Sequence, residues 1–152
     1  RRCTATTDPG KGQAAMSGPI ARMVAGSRYC GTVGFAGDGA IDTALICQGS
    51  NCHRRTGSAL KPLAGIPRDR LTVSRGNDRL KVIGDDRVNT ILCAICGPLP
   101  FPVVRDGGSG HVVTGALVDA PTIRPLVHSF VGSKAPCHDI ADDLPQIQEI
   151  PE

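Results

Sequence analysis

Residues 93–97 read Cys-Ala-Ile-Cys-Gly, and this one turn limits the fold more than any other stretch of the chain. Two cysteines three positions apart aim both sulfurs at one point, and the glycine behind them tolerates the backbone that the turn requires. This is the usual form of a zinc knuckle, which takes its remaining donors from elsewhere in the chain. The need for such a staple is compositional. The 152 residues make about one domain, yet aromatic residues are only 3% of them, with three Phe, one Tyr and no Trp beside 19 Gly and 12 Pro. Aromatic side chains bury the largest area each, so a chain this poor in them leans on a metal or on disulfides. The cysteines are Cys3, Cys30, Cys47, Cys52, Cys93, Cys96 and Cys137. Their odd number, with no secretory pattern at the N-terminus, favours metal ligands or buried thiols over a disulfide framework.

Charge excludes some partners. Seventeen basic and 14 acidic residues are mixed along the chain for a net charge of +3. Nucleic-acid binding calls for a clustered basic face with aromatics to stack on bases, and neither is present. No apolar run approaches the ~20 residues that span a bilayer. The sequence therefore reads as a soluble, cytoplasmic protein with no nucleic-acid and no membrane partner, and it sets no oligomeric state.

Residues 1–25 are polar, rich in Gly, Pro and Ala, and without period, so they read as an N-terminal extension, with Met16 or Met23 as candidate starts; residues 26–152 read as the domain. From residue 28 onward, short apolar alternations follow one another: 29–35, 40–47, 70–74, 79–84, 88–93 and 111–119. Turn compositions separate them, among them Gly-Asp-Gly at 37–39, Gly-Ile-Pro-Arg-Asp at 65–69 and the glycine-rich 105–110, read as a hairpin turn. This spacing predicts a mainly β fold of short antiparallel strands, and no segment longer than about ten residues carries a helical apolar period.

A second thiol pair stands in LICQGSNCHRRTGS, residues 45–58. Cys47 and Cys52 flank Gly49 and Ser50 and precede His53, Arg54 and Arg55. On residue type alone, two such cysteines are as readily buried small hydrophobes at a strand end as a metal pair.

Four segments in order, GSRYCGTVGF, CQGSNCHRRTGSA, CAICGPLPF and RPLVHSFVGSKAPCHDIADDLPQ, resemble the glutathione-dependent formaldehyde-activating enzyme family, also called the centromere protein V group, with its Mss4-like zinc-binding β fold. The family's first motif, C-x-C-G-x-V, falls on Arg28 and Cys30, so its first cysteine is absent. Its second, C-x-C-x-x-C-R-x-x-(S/T)-G, falls on Cys47, Gly49 and Cys52, so its middle cysteine is absent. Its third, C-x-x-C-G, falls intact on Cys93 and Cys96. The resemblance implies a structural zinc on Cys30, Cys93 and Cys96, and a catalytic zinc on Cys47 and Cys52, one thiolate short. Arg28 beside the first ion is expected to repel it, and His53 is a candidate substitute donor at the second. In the tail, Cys137 stands where the family commonly has Trp.

The activity so implied is that of a zinc-dependent carbon–sulfur lyase, joining glutathione as co-substrate to formaldehyde to give S-hydroxymethylglutathione, with degenerate metal sites. Arg54 and Arg55 would bind glutathione carboxylates through forked hydrogen bonds, although arginines beside a loop are as often merely solvated. The partners expected are a small-molecule thiol or aldehyde. The alternative is a non-catalytic zinc-binding or interaction protein of the same fold, which the missing cysteine at Gly49 favours. Cys3, Cys137, His111, His128 and His138 read as free thiols and as surface or packing residues.

Overall fold

The computed structural model describes residues 23–38, 41–97, 102–104, 107–118 and 123–149. Ten strands form its framework: β1 (Val24–Ser27), β2 (Gly34–Gly37), β3 (Thr43–Cys47), β4 (Lys61–Pro67), β5 (Leu71–Arg75), β6 (Leu80–Gly84), β7 (Asn89–Cys93), β8 (Pro102–Val104), β9 (Ser109–Val113) and β10 (His128–Ser129). They form a three-stranded sheet in the order β1-β2-β5 and a seven-stranded sheet in the order β10-β3-β4-β9-β8-β7-β6. Pairing is antiparallel except for the short β10, which runs parallel to β3. The mainly β architecture of short antiparallel strands expected from the sequence is the one found. No helix among the described residues is long and apolar enough to cross a membrane.

Val24, Phe35, Ile66, Leu71, Ile91, Val112 and Ala116 form the larger apolar cluster. Phe35 is its main side chain, 1% exposed, and burying a side chain of this size contributes about 1.5–3 kcal/mol. Its ring lies across β1, where a Cβ on Gly26 would come within 2.0 Å of it. Only glycine fits there. A smaller cluster of Leu45, Cys47 and Leu63, with Cys52, Val113, Val127 and Phe130 against it, surrounds the second thiol pair.

Four local expectations differ from the fold. Residues 29–33, read as part of a strand, form the turn between β1 and β2, and β1 begins at Val24, inside the stretch read as an extension. The segment 50–56, read as a loop, is one short helix, α1 (Ser50–Thr56), closed by the Gly57 N–H bonding to the His53 carbonyl at 2.8 Å. β4 was hidden by its two prolines, which argue against a central strand. Pro62 is tolerated because its β3 neighbour Ile46 gives its N–H to the Val127 carbonyl, and pairing with β9 starts only at Leu63. No ladder bond needs the N–H that Pro62 lacks. The glycine-rich 105–110 lies between β8 and β9, an antiparallel pair, although 105 and 106 are outside the described residues.

The C-terminal segment is held by His128, which is 1% exposed. Gln48 donates Nε2–H to His128 Nδ1 (3.0 Å), and His128 Nε2–H in turn donates to Asp142 (3.0 Å). The Asp142 carboxyl lies below its ordinary range because the Leu144 N–H bonds to it, with His128 adding to the effect. His128→Ala is expected to cost about 2–4 kcal/mol in urea unfolding, from the cavity and the unpaired Gln48 amide. A loss below about 0.5 kcal/mol, the range of an unremarkable surface change, would mean that the tail docks without this chain of bonds.

Candidate functional site

Cys93 ends β7 and Cys96 follows on the turn, where the Gly97 N–H bonds back to the Cys93 carbonyl at 2.9 Å. Gly97 has φ +82°, a left-handed conformation that a Cβ would disfavour. Cys30 arrives from 63 residues earlier on the β1–β2 turn, which is fixed by Arg28 N–H to Val33 O (3.0 Å) and Gly31 N–H to Arg28 O (2.8 Å). Its Sγ lies 3.6 Å from that of Cys93, and the three sulfurs of Cys30, Cys93 and Cys96 all fall within 4.8 Å of one another. Zinc–sulfur bonds of about 2.3 Å in a tetrahedron separate the sulfurs by roughly 3.8 Å. The three thiols fit such an ion, with a fourth position left open.

The thiols are already polarised. The Cys30 thiol is lowered to about 6, chiefly by the hydroxyl and N–H of Thr32. At Cys96 the Cys30 N–H acts to lower the thiol, but burial and its hydrogen bonds with the Cys30 and Cys93 sulfurs outweigh it and raise it. Arg28, on the position of the missing first cysteine, donates a hydrogen bond to the Cys96 sulfur. It therefore sits at the thiol cluster as a cation and cannot serve as a ligand.

The second pair is built differently. Cys47 is the last residue of β3, and the chain turns at Gly49 into α1, whose first turn carries Cys52. The Gly49 N–H points at Cys47 Sγ (3.4 Å), and the Gly49 carbonyl accepts the Cys52 N–H (2.9 Å) and His53 N–H (3.1 Å). The two thiols are hydrogen-bonded to each other, and this bond is the main reason that Cys47 is lowered to about 6 while Cys52 is pushed far up. Gly49 has φ −72°, and a Cβ there would lie 3.4 Å from the Cys47 sulfur and 3.5 Å from Phe130. A third thiol would fit at 49, and the chain lacks it.

Sequence reasoning missed the group that stands beside this pair. Lys61 faces Cys47 across the β3–β4 ladder and is 3% exposed. Burial pushes its ammonium down, the two thiols pull it up, and Arg55 adds a small push down. Its place was readable from the alternation that puts Lys61 on the same face as Leu63, whose burial the apolar pattern does suggest. His53 does not complete a metal set: among the described residues, Cys30, Cys93 and Cys96 are the one group of three donors close enough for an ion.

Arg54 and Arg55 are exposed on α1, and the charge of Arg55 reaches Cys52 and Lys61. A cleft of about 430 Å³ runs between the first turn and the end of α1, lined by Arg28, Tyr29, Thr56, Val113, Leu117 and Val118 among others. Cys137 is exposed, and Cys3 lies outside the described residues.

A sequence model of the family described as glutathione-dependent formaldehyde-activating enzyme matches residues 23–133, a span that holds both thiol groups. Curated proteins give no match. A crystal structure of a Rhodobacter sphaeroides protein, solved as a structural-genomics target, superposes with a TM-score of 0.52 at 22% identity, covering 64% of this chain and 91% of that one. That likeness extends to the fold alone.

Arg28→Cys is expected to tighten zinc binding at the first cluster by about tenfold or more, by completing the thiolate set. Competition against a chromogenic chelator reads this directly. Unchanged affinity would mean that a side chain at position 28 does not face the three sulfurs.

Proposed function

The chain belongs to the glutathione-dependent formaldehyde-activating enzyme family, and from that premise we propose that it joins a small aldehyde to a thiol, with formaldehyde and glutathione as the pair and S-hydroxymethylglutathione as the product. The observation that carries this reading is the hydrogen-bonded Cys47–Cys52 pair, in which one sulfur is held close to its thiolate form at neutral pH. Thiolate, not thiol, is the species that attacks a carbonyl carbon. Arg54 and Arg55 stand one helical turn or less beyond Cys52, where forked hydrogen bonds would hold the carboxylates of glutathione.

Cys30, Cys93 and Cys96 would hold a zinc ion in a structural role. When bound, the ion supplies a cross-link between the β1–β2 turn and the end of β7. The six described cysteines are all free thiols, which suits a cytoplasmic setting where glutathione keeps thiols reduced. Cys47 is only 5% exposed, which favours a second, non-catalytic reading, and rate measurements separate the two.

Hemithioacetal formation above its spontaneous rate is expected in the wild type and should fall by roughly a hundredfold in Cys47→Ala, the lower range for loss of a positioned acid–base group. Equal rates in both proteins would support the non-catalytic reading.

A further inference from the structure

Lys61 has no role in a zinc-dependent reading of the second thiol pair. A buried ammonium is costly unless something compensates it, and the described residues whose charges act on this one are Cys52, Cys47 and Arg55. Charge arithmetic then decides between an ion and no ion. Among the buried groups one deprotonated sulfur and Lys61 sum to zero, while Arg55 is exposed and its charge is screened by solvent. A divalent ion held by two deprotonated sulfurs beside Lys61 would leave one net positive charge in a region where Cys47, Leu63 and Lys61 are all at most 5% exposed. The neutral arrangement is the one a low-dielectric site tolerates.

We propose that Lys61 takes the place of the metal at this second site, so that Cys47, with Cys52 as its hydrogen-bond partner, is a metal-independent sulfur nucleophile for a small aldehyde. The aldehyde half of this assignment rests on the reading under Proposed function; the Lys61–Cys47 pairing does not. Three features give the site its shape. The cross-strand register sets Lys61 opposite Cys47. The Gly49 N–H points at the Cys47 sulfur from 3.4 Å, and half-buried Gly49 is the position where the third thiol is missing. Phe130, 3.5 Å from where a Gly49 Cβ would stand, is the one non-glycine residue among those described with a positive φ, +57°, and strain of this kind tends to be retained at working sites.

The step balances without an oxidant or reductant. The Cys47 sulfur forms a bond to the carbonyl carbon as the carbon–oxygen π bond opens, and the oxygen takes a proton from the Lys61 ammonium. In the reverse step neutral Lys61 takes the hydroxyl proton back as the carbon–sulfur bond breaks and the carbonyl re-forms. The freed aldehyde then adds to the glutathione sulfur, and its oxygen takes the proton that the glutathione thiol gives up.

Site-resolved alkylation by iodoacetamide near neutral pH, read by mass spectrometry on the intact folded protein, tests the proposal in wild type and Lys61→Met. Cys47 is expected to react at least about tenfold faster in the wild type, as the more abundant thiolate, while exposed Cys137 reacts equally in both and serves as the control. The thermal midpoint of Lys61→Met should not fall, since an apolar side chain replaces a buried charge; this separates loss of reactivity from loss of fold. Equal Cys47 rates would overturn the proposal, as would protection of wild-type Cys47 by added zinc. Formaldehyde added beforehand should slow alkylation of Cys47. Its failure to do so, with the dependence on Lys61 intact, would overturn the aldehyde assignment and leave the Lys61–Cys47 site in place.

Discussion

Most of the structure depends on the meeting of three sulfurs from two distant turns. Cys30 belongs to the connection inside the three-stranded sheet, and Cys93 and Cys96 belong to the end of a strand in the seven-stranded one. The larger core cluster lies around β1, β2, β4, β5, β7 and β9, yet Phe35 is its one aromatic member. A core of Val, Ile, Leu and Ala contributes less per residue than one with several aromatics. A metal on a full thiolate set contributes roughly 10–16 kcal/mol of apparent binding energy, comparable with the whole stability of an ordinary domain. With an ion bound, the thiol cluster would add a direct tie between the two sheets to the one this core supplies.

Each thiol group carries a cation where the family pattern has a cysteine or an ion, and the two cations act differently. Arg28 was expected to repel a metal. Its hydrogen bond to the Cys96 sulfur gives it another part, because three thiolates, one divalent ion and one guanidinium sum to no net charge. At the second pair, Lys61 already neutralises the single sulfur that deprotonates readily, and an ion added there would leave excess charge. On this account a cation beside the thiols is compatible with metal at one site and opposed to it at the other. The number of thiols nearby, three against two, makes the difference.

The order of the cysteine motifs made the first cluster legible, since Cys93, Cys96 and the glycine behind them fix a turn whatever surrounds it. Cys30 was reachable through the motif order, and nothing in its own neighbourhood of Tyr29 and Gly31 pointed to a partner 63 residues away. The strands at 71–75, 80–84 and 89–93 were read from their short apolar runs, which hold whether the strand is largely exposed, as at 80–84, or largely buried, as at 89–93. β4 was not, because its prolines mask a central strand whose acceptable positions depend on what Ile46 and Val127 do. Lys61 escaped notice for a related reason: a lysine at a strand start is normally solvated, and the alternation that pairs it with Leu63 is readable only once 61–67 is recognised as a strand. α1 was too short to show a period, and its start is set by the Gly49 carbonyl rather than by a side-chain cap.

The central claim is that one thiol group binds metal and the other works without it. Elemental analysis of protein purified under reducing, zinc-replete conditions tests this in the wild type, Cys93→Ser and Cys47→Ala. The account predicts about one zinc per chain in the wild type and in Cys47→Ala, and close to none in Cys93→Ser. About two ions per chain in the wild type, with one lost in Cys47→Ala, would contradict it.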